Sequence, residues 1–188
     1  VMEYLIQNKK SYWCRLRLGI TTDTYDSLGV VTSEGDASQI TREQVEQLTG
    51  QFTGLIAQQP PMYSALKHKG KRLYELAREG VEIEREARQV NVYQLELHKW
   101  SPPFVEIEVE CGRGFYMRSL AHDIGQVLGC GAHLESLVRQ RTGALHIEDS
   151  ITAEEFQSAV EKGDWQKLVQ PIDVVLIHLD SVEVDSRA

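Results

Sequence analysis

Tyr116 and Arg118 stand in the run Cys111-Gly112-Arg113-Gly114-Phe115-Tyr116-Met117-Arg118-Ser119-Leu120-Ala121-His122-Asp123-Ile124-Gly125. A strand-like stretch, Val105 to Val109, enters a Gly-x-Gly turn at Gly112 and Gly114. A helical pattern leaves it, with Leu120, Ile124, Val127 and Leu128 apolar at helical spacing. Strand-to-helix junctions present side chains to a cleft, and an arginine there can fork two N–H donors onto a carboxylate or phosphate. The chemistry this predicts is the handling of an anion. On the residues alone, Arg118 is equally a helix-start arginine paired with Asp123 or Glu110, and His122 and His133 read as core-edge histidines.

A second group with chemical potential is Lys67-His68-Lys69-Gly70-Lys71-Arg72, four formal positive charges in a short run flanked by Tyr63 and Tyr74. The whole chain is acidic, with 20 basic against 28 acidic residues and a net charge of -8. A basic run of the opposite sign is either a solvated turn or an arm that contacts phosphates. Any nucleic-acid contact must therefore be local. The 188 residues, 41% apolar and 26% charged, suit one globular core. No apolar run approaches the roughly 20 residues of a membrane span, and the expectation is a cytoplasmic protein without a membrane partner. Cys14, Cys111 and Cys130 are an odd number at wide spacing, read as reduced, mostly buried thiols. No metal-ligand cluster, P-loop or dinucleotide glycine pattern is present, so no metal and no cofactor is expected.

The elements that must position these groups follow from periodicity. Val1 to Gln7 reads as the last turns of a helix, and a chain opening there without an initiator methionine reads as a fragment. Tyr12 to Gly19 alternates as a half-buried strand, and Thr21 to Gly29 is a turn-rich loop before a short strand at Val30-Val31. Thr41 with Gln44 is a capping box for a helix through Leu48, with Gly50 as its stop. Gln58-Gln59-Pro60-Pro61 is an extended break from which an arm, about 58–88, projects; Leu73, Leu76 and Ala77 give it a helix ended by Gly80, and Glu82 to Arg88 is an exposed connection. Val90 to Leu97 and Phe104 to Glu110 form a hairpin across Ser101-Pro102-Pro103. Residues 132–145 are ambiguous between helix and strand. Thr152 with Glu155 caps a helix to Val160, Asp164 starts a short one before Pro171, and the tail is uninformative.

Arg113-Gly-Phe-Tyr-Met-Arg-Ser-Leu-Ala-His-Asp-Ile-Gly125, followed by Leu128-Gly-Cys-Gly-Ala-His-Leu134, resembles the C-terminal active-site motif of the TruB-type tRNA pseudouridine synthases. Pro61-Met-Tyr-Ser-Ala-Leu-Lys67 with Gly70-Lys-Arg-Leu-Tyr-Glu-Leu-Ala-Arg-Glu-Gly80 resembles the RNA-gripping insertion of the same family. The resemblance covers nearly the whole chain and weakens after about residue 150. It implies an α+β fold with a mixed, largely antiparallel sheet and flanking helices. It also implies isomerisation of the T-loop uridine at tRNA position 55 without a cofactor, by a monomer that needs no protein partner.

By the same resemblance, Tyr12 of the Lys-x-Tyr segment lies against the target uracil and is a candidate for handling the proton lost at C5. Tyr116 and Leu137 line the base site, and Asp26 belongs to a Thr-Asp-Thr-x-Asp-x-x-Gly loop beside the cleft, where it is either a site residue or a turn brace. Lys67, Lys69, Lys71 and Arg72 are expected on the phosphates of the tRNA T-arm. Arg118 is expected to pair with the family's catalytic aspartate. That residue sits in a Gly-x-Leu-Asp-Pro-like motif upstream of the Lys-x-Tyr strand, and no such motif occurs in these 188 residues. Asp23, Asp26 and Asp123 do not match it. Two alternatives stay open: a tRNA-binding or RNA-folding module without catalysis, and the catalytic subunit of a guide-RNA complex.

Overall fold

The computed structural model describes residues 2–176, 179–180 and 182. After the short helix α1 (Met2–Gln7), strand β1 (Lys10–Leu18) runs through the middle of the molecule and leads through β2 (Ile20–Thr22) to β3 (Val31–Glu34). Helix α2 (Arg42–Gln51) and strand β4 (Gly54–Gln58) come next. The small hairpin β5 (Lys67–His68) and β6 (Lys71–Arg72) then leads into α3 (Leu73–Arg78). The chain returns through β7 (Arg88–Ser101), β8 (Phe104–Cys111), α4 (Met117–Leu128), β9 (Ala132–Thr142) and β10 (Leu145–His146), and α5 (Ala153–Lys162) follows. One six-stranded sheet has the order β10-β9-β1-β8-β7-β4, with every neighbouring pair antiparallel. Among the described residues, the parallel component is a single bridge between Asp26 and Leu134.

Side-chain alternation decides which face of the sheet is covered. Cys14, Leu16 and Leu18 of β1 and Val105, Ile107, Val109 and Cys111 of β8 are buried and share one core cluster with Val45 and Leu48 of α2 and Met117, Leu120, Ala121 and Ile124 of α4. The opposite face carries Trp13, Arg15 and Arg17 opposite Glu108, Glu106 and Phe104, and the Arg15 guanidinium lies 4.2 Å from the Phe104 ring centre. The three cysteines are free and buried. Met62, Leu73 and Leu76 form a separate small cluster inside the 59–87 insertion. Both ends of that insertion meet on the sheet, because Gln58 and Arg88 are register partners.

Local readings and structure differ at a few points. Helix α2 passes through Gly50 and ends at Gln51, capped by Phe52. Gly50 has open space around it and no left-handed φ, so nothing there breaks the helix. The short strand begins at Val31 and runs to Glu34. The ambiguous stretch is the long strand β9, because Gly129 (φ 75°) stops α4, Gly131 (φ 75°) reverses the chain, and Ala132 onward pairs along β1. The connection before β7 is exposed at most of its positions, as read, and is anchored at Arg85, whose side chain is only 12% exposed and donates to the Pro60 carbonyl at 3.2 Å, while Gln59 donates to the Arg85 carbonyl at 2.8 Å.

Helix α4 approaches the start of β9 more closely than any side chain would allow. A Cβ on Gly125 would lie 2.1 Å from the Ala132 nitrogen and 2.4 Å from the Gly131 carbonyl carbon. Alanine in a helix is intrinsically favoured over glycine by about 1 kcal/mol. Here the neighbour is backbone that cannot move aside, and overpacking of about 1–3 kcal/mol or more outweighs that gain. Gly125→Ala is therefore expected to lower the urea midpoint; an unchanged or raised midpoint would show that the helix and strand do not meet this tightly.

Candidate functional site

A cleft of about 400 Å³ opens where α4 begins, and Tyr12, Asp26, Tyr116, Arg118 and Leu137 all line it, with Leu134, Phe115 and Glu135. Residues far apart in the chain meet here for separate reasons. Tyr12 shares the face of Cys14 and Leu16 by alternation, yet lies at the end of β1 where α4 has not started to cover the sheet, so it is half-buried instead of buried. Leu137 pairs with Cys14 across the ladder and is 44% exposed. It is not a core leucine. Tyr116 is the residue immediately before α4, and Arg118 lies one residue inside it.

Asp26 reaches the cleft because its loop is docked onto β9. The Leu134 N–H donates to the Tyr25 carbonyl at 2.9 Å and the Ser27 N–H donates to the Leu134 carbonyl at 3.0 Å. The two carboxylate oxygens then divide their partners. Oδ1 accepts from the Thr24 hydroxyl (2.7 Å) and the Leu28 N–H (3.1 Å), bracing the turn, while Oδ2 faces the Arg118 guanidinium at 3.4 Å. The turn-brace reading describes Oδ1, and the same residue also stands at the wall of the cleft.

Arg118 donates through Nη2 to the Tyr63 carbonyl at 2.7 Å, and through Nη1 to the Thr24 carbonyl and Asp26, both at 3.4 Å. The alternative pairing with Asp123 or Glu110 is not what forms. Glu110 sits on the opposite side, bound by Lys9 at 2.8 Å and by Arg141, and the Lys9 ammonium holds its carboxyl below the ordinary range. Asp123 lies further along α4, where burial pushes its carboxyl up to about 6. The guanidinium is thus held by two long contacts and one short one, at the wall of an open cleft. A planar cation so placed has donor capacity left for an incoming anion.

Burial pushes the Tyr12 phenol above its ordinary value, reinforced by the neighbouring Cys111, while Arg139, its register partner on β9, works the other way. At neutral pH the group is a protonated phenol at the wall of the cleft. His133 is buried between the Ile20 carbonyl (3.0 Å) and Glu135 (3.2 Å). His122 stacks on Tyr25 with ring centres 4.0 Å apart, outside the cleft. Burial lowers its pKa, helped by the Arg85 charge.

The basic run forms the β5–β6 hairpin, turned by Lys69 (φ 47°) and Gly70 (φ 88°), the paired positive φ values that a tight hairpin needs. Lys67, Lys69, Lys71 and Arg72 are all exposed. Lys71 pairs with Glu79 at 3.3 Å, and Arg72 donates to the Tyr74 hydroxyl at 3.3 Å. The hairpin lies outside the cleft but on the insertion whose Tyr63 carbonyl holds Arg118. Gln58 and Arg139 escaped the sequence reading. A buried glutamine at a strand end has no local signature, and Arg139 becomes a neighbour of Tyr12 only through a bulge in the β1–β9 register.

Residues 1–117 match the family model described as TruB family pseudouridylate synthase (N terminal domain), and residues 118–177 match the tRNA pseudouridylate synthase B C-terminal domain. The chain is 43% identical over 185 residues to a tRNA pseudouridine synthase B of Clostridium tetani, covering 98% of this chain and 63% of the relative. It is 40% identical over 187 residues to the protein of that name in Dehalococcoides mccartyi strain CBDB1, covering 100% of this chain and 62% of the relative. It thus spans about three-fifths of the length of these relatives. Among solved structures, a chain from a Cbf5-Nop10-Gar1 complex superposes with a TM-score of 0.69 at 27% identity, covering 94% of this chain and 46% of that one. With both family models accounting for residues 1–177 and relatives at this identity, the chain belongs to the TruB family of pseudouridylate synthases.

Proposed function

We propose that the complete gene product converts the T-loop uridine at tRNA position 55 to pseudouridine. The observation that supports this most is the single cleft shared by Tyr12, Tyr116, Arg118, Leu137 and Asp26. The reaction breaks the bond from the ribose to N1, turns the uracil, joins it through C5, and moves the C5 proton away. The target base has to leave the folded loop to enter the cleft. Tyr12 then stacks on it, with Tyr116 and Leu137 as the other walls. Arg118 orients the family's aspartate, whose motif is not among these residues, and Asp26 steadies the guanidinium. In this reading the Tyr12 hydroxyl handles the C5 proton, and its burial means that Arg139 must offset the cost of any phenolate.

The exposed hairpin carrying Lys67, Lys69, Lys71 and Arg72 supports binding of the T-arm, since phosphate contacts position a nucleic acid without reading its sequence. The guide-RNA alternative draws on the structural likeness to the Cbf5 complex. Relatives at 40–43% identity carrying a tRNA enzyme's name favour free tRNA as the substrate.

Incubating the complete gene product with unmodified tRNA transcript is expected to yield pseudouridine at position 55 with no added RNA or protein, while residues 1–188 alone yield none. Modification only when a guide RNA is supplied would transfer the protein to the other reading.

Arg118→Ala removes the cation from a partly buried pair, and loss of one partner of a buried pair costs about 3–5 kcal/mol, with partial exposure placing this site at the low end. Single-turnover rates are expected to fall by about two orders of magnitude, with tRNA affinity kept by the hairpin. Equal losses in rate and affinity would contradict that division of labour.

Each phosphate contact contributes about 0.9 to the slope of log K against log salt. Neutralising Lys67, Lys69 and Lys71 should flatten that slope by about that amount per residue, with Lys71 giving least because Glu79 already faces it. An unchanged slope would make the hairpin a solvated turn.

A further inference from the structure

We infer that Gln58 is a positioning residue for the cleft: it locks the main chain of Tyr116 and so sets where Tyr116 and Arg118 point. The inference rests on reading the cleft as the pseudouridine-forming site. Gln58 is 2% exposed, a polar side chain withdrawn from water. Its Oε1 accepts from the Tyr116 N–H at 2.8 Å and its Nε2 donates to the Tyr116 carbonyl at 3.1 Å. The two bonds fix which end of the amide is which, because only one orientation matches donor to acceptor at both positions. One side chain thereby does what a neighbouring strand would do for Tyr116, at the point where the chain turns from extended (φ -117°, ψ 114°) into α4.

Tyr116 has no side-chain cap to hold this geometry, and its carbonyl also accepts the Leu120 N–H at 3.1 Å. The clamp is itself anchored. Gln58 is the last residue of β4 and is paired with Arg88 of β7, so its backbone belongs to the sheet. Two neighbouring bonds tie the same segments together: the Ser119 hydroxyl donates to the Gln59 carbonyl at 2.7 Å, and Arg118 donates to the Tyr63 carbonyl at 2.7 Å. Residues 58–63 are thus a rail against which the start of α4 is aligned. Those two bonds use main-chain carbonyls, which most substitutions retain; the Gln58 side chain is the part of the rail that a single substitution can remove.

The test uses the chemistry of Gln58→Glu in the complete gene product. A protonated glutamic acid reproduces the amide, its carbonyl accepting from the Tyr116 N–H and its hydroxyl donating to the Tyr116 carbonyl. The ionised form has acceptors only and sets a charge against that carbonyl. Burial and the facing carbonyl both raise this carboxyl's pKa, so the working form of the variant is the one that gains as pH falls. At neutral pH its single-turnover rate should drop by about 10–100-fold, the scale of a small misplacement of reacting groups. Its tRNA affinity should stay at the wild-type level, and the rate ratio to wild type should climb as the pH is lowered.

A ratio that stays flat across pH, or a loss confined to tRNA affinity, would overturn the inference. If melting curves show that the Gln58→Glu protein is unfolded at neutral pH, Gln58→Met carries the test: it keeps the bulk and loses both hydrogen bonds. The Met variant is expected to bind tRNA normally and turn over slowly at every pH, and a wild-type rate would sink the idea. Wild-type protein that forms no pseudouridine at all would instead overturn the reading of the cleft, and this inference with it.

Discussion

A guanidinium cannot shed its proton, offers five N–H donors, and is expensive to remove from water unless oxygen atoms surround it. The cleft is arranged around that constraint at Arg118. Its acceptors come from two separate segments: the Thr24 carbonyl and the Asp26 carboxylate from the loop after β2, and the Tyr63 carbonyl from the root of the insertion; the cation itself is carried by α4. Each of those segments has to be brought to the same place by its own device. The loop is stitched to β9 by the bridge between Asp26 and Leu134, the insertion root is held by Gln58 and Ser119, and α4 is seated on β9 by the missing side chain of Gly125. The cation's need for oxygen and the sheet's need for a covered apolar face are met by the same three docking events.

The same geometry explains the electrostatic tone of the site. Tyr12 is close enough to the core to lose solvent, which favours the neutral phenol. Asp123, one turn or so further along α4, has lost enough water that its carboxyl titrates near 6, while Glu110, on the far face and held by Lys9, titrates low. Carboxylates a few residues from the cleft are thus driven in opposite directions by burial and by ion pairing.

Much of this was legible in the sequence where local pattern and tertiary role agree. The alternation in β1 and β8, the Thr41 and Thr152 capping boxes, and the glycine turn before Tyr116 each follow from short-range rules and form as read, whereas β7 forms as a strand but its alternation is broken after Val92 by a register shift. Residues 132–142 were not legible, because their strand character comes from pairing with β1, over a hundred residues earlier in the chain. Gly50 misled because a glycine interrupts a helix only where the backbone takes a left-handed turn, and here it does not. At the cleft, Tyr12, Tyr116, Arg118 and Leu137 carried a motif. The partner of Arg118 did not, since the choice between Asp26, Asp123 and Glu110 is made by a loop docking across the fold. Gln58 is the clearest omission: both of its side-chain hydrogen bonds go to Tyr116, far along the chain, and nothing about a glutamine two positions before a proline pair announces them.

The meeting of Gln58 and Arg88 on adjacent strands has a consequence for how this fold can vary. The entropy lost in closing a loop depends on bringing its ends together, and here the ends are brought together by the sheet, whatever lies between them. Residues 59–87 also own a small apolar cluster around Met62, Leu73 and Leu76, separate from the main core. Length and composition between those two anchor points are therefore nearly decoupled from the register of the six-stranded sheet. That lobe can be lengthened, trimmed or recharged without disturbing the strand pairing on which the cleft depends.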